Sequence, residues 1–310
     1  MNLLFAINDK FFEGFIATCT SFCVNNPGAH HFYIMYDRLS LKYQKKAMRI
    51  LNKFTCELNF IDIGTGAFSH ERYTSLPRYY SQSINRLLPQ LAVPSTVERL
   101  LYLDTDVIVN GSLESFYDTD FEENFIVCPA VRRDGQNGGP FWDQEAGVYN
   151  MIRIPLAEDE LYFNSGVLLL NVARFRTIDI TFYDRIVDVY RGLIVFADQD
   201  ILNIAFKNGT KRIIDRRLNC TIPDNMRLRK GEFRWIQREV IVLHYVVWRK
   251  PWMPWRYRNR LFHIFMRYFA HEGRPFSYFY RYSVWYFMKP FHFFKHCWTK
   301  ALSILRGSHR

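Results

Sequence analysis

Arg99-Leu100-Leu101-Tyr102-Leu103-Asp104-Thr105-Asp106-Val107-Ile108-Val109 is an apolar run interrupted by two carboxylates one residue apart. The apolar part reads as a buried strand. On an extended strand residues i and i+2 point to the same side, so the spacing predicts that Asp104 and Asp106 reach one cation. Two like charges at the end of a buried strand are unfavourable without a positive partner. A hard divalent metal carrying a phosphate meets that need. A lone D-x-D is a weak signal, so the surrounding chain must supply the context.

Working outward, Leu3 to Ile7, His31 to Tyr36 and Leu58 to Ile63 read as further apolar strands. Phe12 to Val24, Ser40 to Phe54 (with Ser40 as N-cap) and Ser81 to Leu88 read as helices. This alternation predicts a parallel α/β sheet. Ligands of such sheets bind at the carboxyl ends of strands, where Asp104, Asp106, Ala6, Asn8 and Asp9 all fall. Further on, Asp134 to Pro140 is turn-rich within an irregular segment from 130 to 163. Tyr162-Phe163-Asn164-Ser165-Gly166 then leads into a buried strand ending at Asn171, and Asp198-Gln199-Asp200 precedes a helix from Ile201 to Phe206. Val240 to Tyr245, a strand that includes His244, leads to Lys250-Pro251-Trp252.

The 310-residue chain can bury a sizeable core. Its net charge of +11 is unevenly placed. Residues 249–310 hold 13 Lys or Arg against one acid, Glu272, so the rest of the chain is near neutral. That asymmetry assigns an anionic partner to the tail and not to the body. The six cysteines (19, 23, 56, 128, 220 and 297) form no disulfide framework, which fits a reducing compartment. Cys19 and Cys23 have a helical spacing open to a metal, but small apolar packing residues are the simpler reading. The N-terminus lacks the basic start and long apolar run of a signal peptide. No run of ~18 apolar residues marks a membrane span.

Four segments occur together in order: Leu103-Asp104-Thr105-Asp106, Phe163-Asn164-Ser165-Gly166-Val167, Asp198-Gln199-Asp200-Ile201-Leu202-Asn203, and His244-Tyr245 followed by Lys250-Pro251-Trp252. In that order and spacing they resemble glycosyltransferase family 8, and within it the bacterial lipopolysaccharide galactosyl- and glucosyltransferases. The resemblance covers roughly residues 1–255. It implies a GT-A fold, a Rossmann-like mixed sheet flanked by helices, as a catalytic domain over 1–255. It also implies retaining transfer of a hexose from UDP-galactose or UDP-glucose to a glycan or lipid-linked acceptor, with Mn2+ (or Mg2+).

By this resemblance Asp104, Asp106 and His244 hold the metal, with Thr105 between the carboxylates. Lys250 adds a cation to the diphosphate and Arg86 lies near the diphosphate and donor sugar. Ala6, Asn8 and Asp9 bind uracil and ribose, and Asn164, Asp198 and Gln199 contact the donor sugar. Two carboxylates and an imidazole suit Mn2+, and a metal there acts as a Lewis acid on the departing UDP. Plainer readings stand beside these: Arg86 as a surface helix residue, His244 as a core histidine, Asn164 as a turn cap and Asp198 as an N-cap.

The chain departs from the family where Asn8 and Phe11 replace an aspartate and a tyrosine. A glycine usual between the histidine and the lysine is also missing from Val246-Val247-Trp248-Arg249, which bears on how closely backbone approaches the diphosphate. An amide is a poor nucleophile. Gln199, at the position where a nucleophile would be sought, therefore favours a front-face reaction in which the departing phosphate takes the acceptor proton.

Residues 249–310 also hold 19 aromatic residues among 62. Arg274, Arg281, Lys289, His292, His296 and Lys300 follow a roughly helical spacing, interrupted by Pro290. Basic residues interleaved with Trp and Tyr suit an anionic bilayer surface. The reading is a membrane-association region over 256–310 of a cytoplasmic enzyme, peripheral on the inner face of the membrane, with no nucleic-acid partner. A packed helical cap is the alternative for the tail. Two other classes compete for the body. A nucleotidyltransferase would normally carry a Gly-rich loop where Asn8-Asp9-Lys10-Phe11-Phe12 stands. A non-catalytic binding protein on the same fold is kept open by the altered loops.

Overall fold

The computed structural model describes residues 1–64, 68, 71–78, 81–130, 151–156, 161–222, 228, 230–246, 250–252 and 261–269. The turn-rich segment at 134–140, the replaced glycine region at 247–249 and the tail beyond 269 lie outside the described residues. In chain order the strands are β1 (Asn2–Ile7), β2 (His30–Tyr36), β3 (Cys56–Asp62), β4 (Arg99–Leu103), β5 (Val107–Val109), β6 (Ile126–Pro129), β7 (Val167–Asn171), β8 (Thr210–Ile213), β9 (Cys220–Thr221) and β10 (Val242–His244). The principal helices are α1 (Phe12–Asn25), α2 (Leu41–Leu51), α3 (Ile180–Tyr190), α4 (Ala197–Ala205), α5 (Lys230–Glu239) and α6 (Phe262–Phe269).

A seven-stranded sheet has the order β3-β2-β1-β4-β7-β6-β8, and a three-stranded sheet has the order β5-β10-β9. The first four strands of the large sheet are parallel, as the strand–helix alternation predicts. β7 runs antiparallel to both β4 and β6, which makes the sheet mixed. After β4 the chain leaves the large sheet for β5, and no long helix among the described residues carries it back as a parallel crossover would.

Alternation along the central strands sends Leu4, Ala6, Tyr102, Leu168 and Leu170 to one face, where α3 and α4 cover them. Leu3, Phe5, Ile7, Leu101, Leu103 and Leu169 go to the other face, under α1 and α2. Both faces are buried, which is why these strands read as continuous apolar runs. α1 is buried nearly all round, between the large sheet on one side and β5 with α6 on the other. Three of its polar residues bond β5: Thr18 donates to Val107 O (2.8 Å), Ser21 Oγ accepts from Val109 N (3.0 Å) and Asn25 donates to Val109 O (2.9 Å). Cys19 and Cys23 are buried packing residues on α1.

Some elements differ from expectation. α2 ends at Leu51, and Ser40 stands at its N-cap without a side-chain capping bond. Ser81 to Leu88 is not one helix but a turn of helix, Ser81–Ile84, followed by a 3-10 turn, Asn85–Leu87. α6 packs its Phe262, Phe265, Met266 and Phe269 into one apolar cluster with Ile108, Tyr245 and Trp252. Residues 261–269, read from sequence as part of the extension, are thus packed on the body like a cap.

Candidate active site

Asp104 and Asp106 do not lie on a strand. They occupy the turn between β4 and β5, where the chain passes from the large sheet to the small one. Two backbone bonds fix that turn: Asp104 N donates to Gly166 O (2.8 Å) and Tyr245 N donates to Asp106 O (3.0 Å). Thr105 is buried between them. α1 approaches the turn closely at Gly14, where a Cβ would lie 2.6 Å from the Trp252 ring and closer still to Thr105 O. The carboxylates converge because the turn is pinned from both sheets, not because of a strand's two-residue period.

Each carboxylate commits one oxygen to a protein partner. Asp104 Oδ1 accepts from Tyr102 Oη (2.7 Å) and pairs with Arg86 Nη2 (2.8 Å). Asp106 Oδ2 takes Lys250 Nζ at 2.5 Å, and Lys250 also donates to Tyr245 O (2.9 Å). The other two oxygens face His244 Nε2, at 3.7 Å from Asp104 Oδ2 and 3.2 Å from Asp106 Oδ1. Asn219 sets the His244 ring: its amide nitrogen donates to Asn164 Oδ1 (3.0 Å), so its oxygen accepts from His244 Nδ1 (3.0 Å). That leaves the Nε2 lone pair aimed at two carboxylate oxygens. One ligand atom from each of Asp104, Asp106 and His244 lies within 4.8 Å of the others. Converging lone pairs of two carboxylates and an imidazole fit a divalent cation. Gly166 is what lets them converge, since a Cβ there would lie 2.8 Å from His244 Nδ1, 2.9 Å from Asp104 Oδ2 and closer still to His244 Cε1. Burial alone would raise the Asp106 carboxyl; the Lys250 ammonium at its Oδ2 opposes this, and the carboxyl lies below the ordinary carboxylate range.

Arg86 is not a surface residue. It is 4% exposed. Its guanidinium joins Asp104 to Asp198 (3.2 Å), donates to Ser83 O (2.9 Å) and Ser165 O (2.6 Å), and lies over the Tyr102 ring. Burial opposes its charge, but Asp104, Tyr102 and Asp198 more than compensate. It acts here as the clamp between two acidic segments.

Asp198, Gln199 and Asp200 fall inside the first turn of α4 and not before it. Asp198 is not the cap: it accepts from Ser165 Oγ (3.2 Å) and Ser83 Oγ (3.3 Å). Asp200 does the capping, accepting from Val195 N (2.7 Å) and Phe196 N (2.8 Å). Its other oxygen accepts from Tyr162 Oη (2.6 Å), and burial raises its carboxyl. Gln199 Nε2 donates to Tyr162 Oη (2.7 Å), while its Oε1 accepts from Asn164 Nδ2 (2.8 Å) and Ser165 N (3.2 Å). Asn164 also caps a turn, its Oδ1 accepting from Gly166 N (3.0 Å), as its plainer reading expects.

Ala6, Asn8 and Asp9 stand where β1 ends, one strand over from Asp104. Ala6 is buried beside Met35. Asn8 caps the turn Asp9–Phe11 by accepting from Lys10 N (3.0 Å), and Asp9 accepts from Ser40 N (2.8 Å). Tyr102, Tyr162, Gly166, Asp200 and Asn219 were not singled out from sequence. Tyr102 carried a signal, being two residues before Asp104 at the end of the apolar run that forms β4. Asn219 carried none.

The model of glycosyl transferase family 8 matches residues 2–256. The chain belongs to that family. Similar curated members include a lipopolysaccharide 1,3-galactosyltransferase of Salmonella typhimurium, 25% identical over 82% of this chain and 73% of the relative. A lipopolysaccharide 1,2-glucosyltransferase of Escherichia coli is 26% identical over 82% of this chain and 74% of the relative. Among solved structures, the galactosyltransferase LgtC in complex with donor and acceptor sugar analogs matches with a TM-score of 0.67 at 24% identity. That match covers 88% of this chain and 95% of LgtC, and the shared fold is of GT-A type. The Asp104–Asp106–His244 cluster is thus a candidate metal site of a family 8 glycosyltransferase.

Proposed function

We propose that this family 8 protein transfers a hexose, galactose or glucose, from a UDP-sugar to a lipopolysaccharide or other lipid-linked glycan, retaining the anomeric configuration. The observation that carries the reading is the convergence of Asp104, Asp106 and His244 beside the fixed amide of Gln199. The functions of the similar lipopolysaccharide galactosyl- and glucosyltransferases support the hexose and the acceptor class. Asp104, Asp106 and His244 would hold Mn2+ or Mg2+, whose chemistry is to neutralise charge on the departing diphosphate. Lys250 and Arg86 orient the two carboxylates from outside the metal position. Gln199 is held through both ends of its amide, which suits a group that positions a sugar and not one that attacks it. The acceptor hydroxyl then attacks on the face from which UDP departs, and the phosphate takes its proton. Ala6, Asn8 and Asp9 bind the nucleoside.

The test is UDP release from a panel of UDP-sugars, with Mn2+ and with EDTA, for the wild type and Asp106→Ala. Slow release from one donor, abolished by EDTA and by the substitution, is the expected result. Absence of release from every donor, together with absence of donor binding by calorimetry, would overturn the reading in favour of a non-catalytic protein.

The body extends to the packed helix α6, so the membrane-association region starts after residue 269. Its cations and aromatics attach the enzyme to the inner face of the membrane. Among the described residues no helix is long and apolar enough to cross a membrane. Replacing Arg274, Arg281 and Lys289 by Gln in the full chain is expected to weaken binding to anionic vesicles; unchanged binding would remove this assignment.

A further inference from the structure

The body is near neutral overall, yet one helix on it is not. From residue 38 to 56 the chain holds Arg38, Lys42, Lys45, Lys46, Arg49 and Lys53, and no acid. Tyr43, Ala47, Ile50 and Leu51 of α2 pack toward the core, beneath the large sheet. At 100° per residue the opposite face carries Leu41, Lys42, Lys45, Met48 and Arg49 within about a third of a turn. All five are exposed. Leu41 is 71% and Met48 46% exposed, one beside the other after two helical turns. An apolar pair flanked by cations, on a helix whose other face is anchored, is the pattern of a helix that lies on a membrane surface.

We infer that the outward face of α2 is a second membrane contact, seating Leu41 and Met48 at the level of anionic lipid headgroups while Lys42, Lys45 and Arg49 meet their phosphates. Charge complementarity selects this occupant: within a stretch that holds six cations and no acid, on a body whose other residues carry a net negative charge, Lys42, Lys45 and Arg49 face outward together and match an anionic surface. The placement fits. α2 and α6 both pack on α1, so the helix and the start of the basic tail belong to one side of the large sheet. Asp9, which accepts from Ser40 N at the start of α2, ties this helix to the loop assigned to the nucleoside. A bilayer under α2 would hold the carboxyl edge of the sheet at a fixed height above lipid-linked acceptors. The inference extends the membrane attachment proposed above and is separable from it.

The experiment is co-sedimentation of the full chain with vesicles of phosphatidylcholine, with and without phosphatidylglycerol. Replacing Lys42, Lys45 and Arg49 together by Gln is expected to lower partition onto the anionic vesicles by roughly a hundredfold. UDP release without acceptor should stay at the wild-type rate. Leu41→Ser with Met48→Ser should remove the part of the binding that survives high salt. Unchanged partition for the Lys42/Lys45/Arg49 variant overturns the inference. A loss confined to the Arg274/Arg281/Lys289 variant does the same, while leaving the tail assignment in place. A loss in the α2 variant with none in the tail variant supports α2 and removes the tail. Binding of the wild type to a single-stranded oligonucleotide but not to vesicles would also overturn it, since the surface would then serve a different polyanion.

Discussion

Gly166→Ala replaces one hydrogen by a methyl at the point where the two sheets meet. The added Cβ would stand 2.8 Å from His244 Nδ1 and 2.9 Å from Asp104 Oδ2. Relaxed contacts need about 3.5 Å, so Asp104 must retreat by roughly 0.6 Å and His244, whose Cε1 stands closer still to the added Cβ, by more than that, or the turn must open. Metal ligands tolerate shifts of only about 0.2 Å from their proper distances. His244 is also tied to Asn219, and Asp104 to Tyr102 and Arg86, so neither moves freely. Metal affinity should therefore fall at least as far as when a supporting partner is lost, about 10–100-fold. The fold should survive at a cost of about 1–3 kcal/mol. Calorimetric titration with Mn2+, alongside thermal unfolding, measures both. Gly192→Ala is the control, because nothing lies within 4 Å of a Cβ there. If Gly166→Ala binds Mn2+ as tightly as the wild type while Asp106→Ala does not, the crowding at Gly166 does not set the ligand geometry and the reasoning fails.

Arg86→Met leaves Asp104 and Asp198 without their shared cation, and breaking such a buried pair should cost about 3–5 kcal/mol by denaturant unfolding; a cost under ~1 kcal/mol would mean the clamp is not structural. Tyr162→Phe removes the hydroxyl that bonds both Asp200 and Gln199, and should lower kcat of hexose transfer with little change in donor KM, at about 1–3 kcal/mol in stability. An unchanged kcat would show that Gln199 does not need this support. Asp106 is held below the ordinary carboxylate range, so its folded state binds a proton less readily than its unfolded state. Its contribution is present above about pH 4 and lost as the pH falls further; melting curves of metal-free protein from neutral to acid pH should show a shallower loss for Asp106→Asn than for the wild type, and equal slopes would contradict the assignment.

Much of this chain is legible without coordinates because its signals are local. Continuous apolar runs mark β1, β2 and β4, since both faces of these strands are covered. The triad itself was found from sequence through the resemblance of four short motifs, and its members do lie together. Motif positions say less about mechanism of support. The D-x-D pair reads as two neighbours on a strand, yet the structure bends the chain there and holds the carboxylates in a turn between two sheets. Asp198 reads as a helix cap, but Asp200 does that work and Asp198 is free to pair with Arg86.

Composition and periodicity thus determined the α/β class and the basic asymmetry of the tail, which are properties of residues close in the chain, while the resemblance of four motifs pointed to Asp104, Asp106 and His244 as candidate ligands. Tertiary structure decided which oxygen of each carboxylate faces the metal position, that Asn219 orients His244, that Tyr162 holds Gln199, and that Gly166 has no room for a side chain. These partners are joined across 25 or more residues, so no local period records them. They follow only once the large sheet, the small sheet and α4 are packed against one another.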